Sequence, residues 1–292
     1  MMDNLIQWFS EPFQFEFMRR ALWAGLAVGA VCAVLSCYLV LKGWSLMGDA
    51  ISHAVLPGIV IAYTLGIALP IGAFISGLAC ALMSGYIKEN CRVKEDTVMG
   101  IVYSGMFALG LVLFTKIETE QHLLHILFGN MLGIQDFEFT QTVTLSLIVF
   151  AIVVTFRKDF LLYCFDKSHA RVVGLPVVLI HYSLLVLLSL TIVATIQAVG
   201  VIMVVAMLVS PGITAFVLTR QFSHMMWIAL GVSLSSIVLG ILVSFHIDGA
   251  TSACIVLVQA CFFLLALVAS KVITRTAAQH EIPPETHVSP SH

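Results

Sequence analysis

The chain has 292 residues, 60% of them hydrophobic and only 10% charged, with a formal net charge of -2. That composition excludes a water-soluble enzyme, and its slightly acidic balance excludes a nucleic-acid-binding surface of any size. At about 20 apolar residues per crossing of a bilayer core, the length accommodates about eight to ten spans in one all-α, polytopic membrane domain.

Residues 1–18 read as an amphipathic segment on the membrane surface, with Trp8, Phe9, Phe13, Phe15 and Phe17 suited to the headgroup layer. Acidic residues and Pro12 interrupt it before any long apolar run, so it does not read as a cleavable signal peptide. The membrane domain is expected over 19–272, with spans near 20–41, 51–67, 69–87, 97–115, 140–156, 176–195, 198–218, 225–245 and 252–270. The second span is short and contains Pro57-Gly58, which predicts a broken or partly inserted helix. Gln121 to Ile134 is too short to cross and predicts an interfacial or re-entrant helix. Residues 273–292 are polar, carry Pro283, Pro284 and Pro290, and predict a disordered tail.

Eleven of the 14 Lys and Arg residues fall on one side if the 157–176 connection is cytoplasmic, leaving only Arg19, Arg20 and Lys116 opposite. The positive-inside bias then places the N-terminus outside and the C-terminus in the cytoplasm. The seven cysteines lie mostly in apolar runs without CxxC spacing, as small packing residues do.

Gly48-Asp49-Ala50-Ile51-Ser52-His53-Ala54-Val55-Leu56-Pro57-Gly58 sets a carboxylate and an imidazole four residues apart, on one side of a helical turn. One reading makes Asp49 a helix cap at the membrane surface, with His53 in the headgroup layer. The other makes the pair a metal site: an ionisable group inside a span costs roughly 2.5 kcal/mol or more unless paired or wet. One hard oxygen beside one borderline nitrogen, without a nearby thiolate, suits Mn(II), Fe(II) or Zn(II).

In the 157–176 connection, Asp166 to Val173 can form two helical turns ended by Gly174, with Pro176 starting the next span. Such a helix can dock a cytoplasmic partner, or the stretch can be an ordinary basic loop. Farther along, Pro211 removes a backbone donor in mid-span, as at pathway-lining breaks, while Gly200, Ala206 and Gly212 equally suit close helix packing. Arg19 and Arg20 can meet acidic groups of an external partner or anchor the first span to lipid phosphates. No GxxxxGK[ST], GxSxG or HExxH pattern occurs, so nucleotide hydrolysis by this chain itself is not expected.

Together these stretches resemble the permease subunits of bacterial ATP-binding-cassette importers for manganese, zinc and iron, from Arg19 to about Ala269. The most specific likenesses are Gly48 to Gly58, Leu127-Phe128-Gly129-Asn130, and the Ala-Arg-x-x-Gly-Leu-Pro of Ala170 to Pro176. Gln197 to Pro211 is similar to the family's Gln-Ala-Val-Gly-Val run, although Ser210-Pro211-Gly212 departs from its usual ending. His246 to Thr251 lacks the family's proline-and-glycine turn.

The resemblance implies an all-helical permease in the bacterial inner membrane. It pairs with a second permease chain, two cytoplasmic ATPase subunits and an extracytoplasmic metal-binding protein. By the same likeness Asp49 and His53 coordinate the passing metal. Asp166, His169, Ala170, Arg171 and Gly174 lie on the helix that couples to the ATPase, and Arg19 and Arg20 lie near the docking surface for the binding protein. The metal is transported cargo, with no permanently bound cofactor. A proton-coupled secondary carrier using the same Asp-His pair is the alternative, although carboxylates on several spans or an inverted repeat would be expected of it.

Overall fold

The computed structural model describes residues 11–93, 95–116 and 131–280, and every regular element among them is helical. After a single 3-10 turn at Pro12–Gln14, the helices are α1 (Glu16–Lys42), α2 (Met47–Leu65), α3 (Leu69–Asn90) and α4 (Glu95–Phe114). A second 3-10 turn at Met131–Gly133 leads into α5 (Asp136–Thr155), α6 (Arg157–Phe165) and α7 (Lys167–Val172). Then come α8 (Val177–Val199), α9 (Val201–Leu218), α10 (Phe222–Ile247) and α11 (Thr251–His280). Eight of these are long and apolar enough to cross a membrane, and Met203–Leu218 within α9 is a shorter apolar helix. This is a multi-pass membrane protein. Most of the expected re-entrant stretch, including Leu127 to Asn130, lies outside the described residues.

Backbone groups cannot be left unpaired in lipid, so the long apolar runs close their hydrogen bonds internally as helices. Helix α1 is the centre of the fold. Ala24, Val28, Val31, Cys32, Leu35 and Leu39 are all buried along it, and it packs against α5, α8, α9 and α10. It ends at Gly43 in the left-handed conformation (φ 73°), where the Trp44 amide reaches back to the Leu39 carbonyl at 2.8 Å. This is the paired closure that satisfies the last carbonyls of a helix.

Without a hydrophobic force between helices in lipid, association depends on small residues and interhelical hydrogen bonds. Both are present. Helices α2 and α3 touch at Gly58 and Gly72, where a methyl on either would strike the other's carbonyl oxygen. The Ser76 hydroxyl donates to Ala54 O at 2.6 Å just beside that crossing. Similar links run from Thr142 to Ala194 O (α5 to α8, 3.0 Å) and from Ser233 to Gly29 O (α10 to α1, 2.9 Å).

Three local expectations are corrected. Helix α2 is continuous through Pro57. Gly110 of α4 faces the proline ring, and even a methyl there would lie 2.9 Å from Pro57 Cδ, so the bare glycine makes room for it. The stretch 157–176 holds two helices, because α6 precedes the expected Asp166-capped turn. Helix α11 extends to His280, so 274–280 is helical, where a disordered tail was expected from 273: no Gly or Pro interrupts the backbone ladder before Pro283.

Candidate functional site

Asp49 lies in the first turn of α2, whose N-cap is Leu46, so the carboxylate is inside the helix and does not cap it. His53 follows one turn later. Its Nε2 is 3.3 Å from Asp49 Oδ1, and each side chain is 34% exposed. The two groups nevertheless face different neighbours. The His53 ring stacks on Tyr103 of α4 at 6.2 Å between centroids and meets Phe107 edge-on at 5.2 Å. Asp49 instead opens onto a cavity of about 570 Å³ between α2, α9 and α11, whose other polar walls are Ser45, Ser210 and Gln259.

The pair is thus held at His53 by two aromatic rings and opens at Asp49 onto the cavity. Pro57 adds to the polarity of this turn, because it supplies no N–H for the His53 carbonyl four residues before it. Among the described residues, no third His, Cys, Asp or Glu joins the pair. One chain therefore offers two side-chain ligands, an oxygen and a nitrogen of the kinds that bind first-row divalent ions. Tyr103, Phe107, Ser45 and Gln259 were not singled out from the sequence. Gln259, an isolated amide in an otherwise apolar span, was the one legible signal among them.

Pro211 does not break α9. A methyl on Gly212 would lie 2.6 Å from Ser36 O of α1, so this glycine allows close packing, while Ser210 two residues earlier lines the cavity. Gly212 thus fits the packing reading of the stretch, and the break expected at Pro211 is absent.

Asp166, His169, Ala170, Arg171 and Gly174 come together around α7. The Asp166 carboxylate accepts from the backbone amides of Ser168 (2.8 Å) and His169 (3.0 Å), capping the helix. The His169 and Ser168 amides hold this carboxyl below its usual range. Such a cap is fully present above the ordinary carboxyl pKa of 3.8 and is lost as pH falls through the lower folded value. Near neutral pH it is intact. Asp166→Ala should therefore lower the hydrogen-exchange protection factors of the Ser168 and His169 amides at neutral pH, and acidification of the wild type below its folded carboxyl pKa should lower the same protection factors.

Ala170 is the fully buried residue of α7, and Gly174 (φ 89°) turns the chain so that the Leu175 amide reaches Ala170 O at 3.0 Å. Helix α6 fastens this unit to the bundle. The Tyr163 hydroxyl and His181 Nδ1 of α8 are 2.8 Å apart, Lys42 Nζ lies 4.2 Å from the Tyr163 ring centroid, and the Tyr38 hydroxyl donates to Arg157 O at 3.3 Å.

Arg19 and Arg20 differ in their surroundings. Arg19 is exposed. Arg20 is committed within the chain, pairing with Glu16 at 2.6 Å and with Asp136 at the start of α5.

A helical membrane domain with an Asp–His pair beside an internal cavity and a capped helix between two spans fits the membrane subunit of a transporter. The chain belongs to the ABC 3 transport family, whose family model matches residues 14–270. It is similar to the chelated iron transport system membrane protein YfeD of Yersinia pestis, 63% identical over 267 residues that cover 91% of this chain and 90% of the relative. The manganese transport system membrane protein MntB of Synechocystis is 49% identical over 261 residues, covering 89% and 85%. Among solved structures, a chain of PsaBC from Streptococcus pneumoniae in complex with Fab superposes with a TM-score of 0.80 at 37% identity, covering 90% of this chain and 95% of that one.

Proposed function

We propose that this chain is the transmembrane permease subunit of an ATP-driven importer of divalent transition-metal ions, iron, manganese or zinc. ATP is hydrolysed by a separate cytoplasmic subunit, and the permease works by alternating access. The observation that carries the reading is the Asp49–His53 pair, 3.3 Å apart with the carboxylate on the wall of a cavity inside the helical bundle. An ionisable pair so placed marks an ion pathway. Family membership and the iron and manganese systems of its relatives support the same conclusion, and they favour it over a proton-coupled carrier.

The complete transporter pairs this chain with a second permease, identical or homologous, together with two ATPase subunits and an extracytoplasmic metal-binding protein. A two-fold partner raises the ligand set from two to four, enough to hold an ion transiently. Weak binding suits passage, since a tightly held ion does not leave. The N-terminus is outside, 19–272 form the permease domain, and the end of α11 projects into the cytoplasm. The positions of Lys42, Lys88 and Arg157 at the ends of α1, α3 and α5 support this orientation. Residues 1–10 of the expected amphipathic segment 1–18 lie outside the described residues.

Uptake by the assembled transporter in liposomes, with iron(II), manganese(II) and zinc(II) compared, tests the proposal. ATP-dependent accumulation of at least one is expected. Accumulation driven by a proton gradient without ATP would transfer the chain to the carrier class.

Docking of the binding protein is assigned to Arg19, because Arg20 already has two carboxylate partners. Arg19→Glu should weaken binding of that protein, most visibly at low ionic strength, and more than Arg19→Ala. Equal affinities for wild type and Arg19→Glu in nanodiscs would reassign Arg19 to lipid anchoring.

A further inference from the structure

Gln259 sits in the middle of an apolar span, is fully buried, and lines the cavity that Asp49 opens onto. Neither its amide oxygen nor its amide nitrogen has a hydrogen-bond partner. The buried hydroxyls of Ser84, Ser146 and Ser189 also lack partners, but each leaves one small group unmet. Gln259 leaves both a donor and an acceptor, in a place where apolar residues of similar size would pack without that loss. A buried polar group left unpaired calls for an occupant.

The polar groups on an otherwise apolar wall point to that occupant. Asp49 repels an anion, and it, Ser45, Ser210 and Gln259 all offer oxygen. Oxygen donors suit a divalent cation that keeps part of its water shell. Resting on the metal-import reading above, we infer that Gln259 is a second station on the ion path: its amide oxygen accepts hydrogen bonds from the waters of a partly hydrated divalent cation beside Asp49. A neutral amide is well matched to this task. It orients the hydrated ion without adding a charge that would retain it. The cation is stripped further only when Asp49 and His53 coordinate it directly.

The test is manganese(II) uptake by the complete transporter in liposomes, for wild type, Gln259→Leu, Gln259→Glu and Asp49→Ala, with a melting temperature for each. Gln259→Leu removes both polar ends at nearly constant size. It should lower kcat/KM by about tenfold, as loss of an outer-sphere partner does, with the melting temperature unchanged or raised. Gln259→Glu should lower KM and kcat together, because the added charge holds the ion. If Gln259→Leu keeps the wild-type KM and kcat while Asp49→Ala is inactive, the inference about Gln259 fails and the pathway through Asp49 stands. If Gln259→Leu loses uptake only in proportion to a fall in melting temperature, Gln259 serves packing or a structural water and the inference is overturned. Wild-type uptake by Asp49→Ala removes the metal-path reading on which the inference rests, and the inference with it.

Discussion

Asp49→Ala and His53→Ala should each abolish metal uptake while leaving the permease folded and assembled. The two side chains are partly exposed, Asp49 anchors no helix contact, and α2 stays held at α3 by Gly58 against Gly72 and by Ser76 bound to Ala54 O when either is truncated. On the proposed metal-site reading, either truncation removes one of the two ligands this chain would supply, and with a two-fold partner two of four. Loss of an outer-sphere partner alone costs about 10–100-fold in metal affinity or activity, so loss of a direct ligand should reach at least about 100-fold in uptake. His53 also stacks on Tyr103 and meets Phe107, so His53→Ala opens a gap that Asp49→Ala does not. Its melting temperature should fall slightly more. Uptake of labelled metal, alongside size-exclusion profiles of the assembled complex, checks both points. Near-normal uptake by both variants would remove the pair from the ion path.

Gly174→Val should uncouple transport from ATP hydrolysis. Gly174 has φ 89°, and no heavy atom lies within 4 Å of where its Cβ would be. The cost of valine is therefore conformational and not a collision with neighbours. A branched residue forced into the left-handed region loses about 1–2 kcal/mol per residue, and the backbone can avoid that loss only by rotating away. Rotation breaks the Leu175 amide to Ala170 O bond that closes α7, the helix that the family resemblance implies couples to the ATPase. The permease should remain in the membrane, and ATP should still be hydrolysed, but less metal should move per ATP. Asparagine tolerates this backbone region far better, so Gly174→Asn should retain most coupling. The ratio of metal transported to phosphate released is the measurement. An unchanged ratio in Gly174→Val would mean that α7 is an ordinary connection.

Both results depend on how the helices are joined. Helix α6 ties α7 to α1 and α8 through Tyr163, His181, Lys42 and the Tyr38–Arg157 bond. Trp44 lies edge-on to His181 at 5.5 Å, in the short link between α1 and α2. These contacts form a packed route from α7 to the segment from which Asp49 projects.

The sequence by itself determined the class of protein and most of its long helices, because in lipid each span must be a helix, and length with hydropathy suffices to find one. It also placed Asp49 and His53 on the same turn through their four-residue spacing, and it marked Asp166 and Gly174 as the two ends of α7 through their capping chemistry. Which side of each helix faces the interior was not legible. Lipid tails are as apolar as leucine, so a spanning helix need not show the one-sided hydrophobic pattern that reveals the core face of a soluble helix. Only the packed structure decided that His53 turns to Tyr103 and Phe107 on α4 while Asp49 opens toward α9 and α11. The same holds for Arg20, whose partner Asp136 is 116 residues away, and for α2, whose Pro57 is accommodated by a glycine on another helix. Gln259 is the clearest case: its sequence position identifies a polar residue in a span, but only the tertiary fold puts its unpaired amide on the wall of the cavity shared with Asp49.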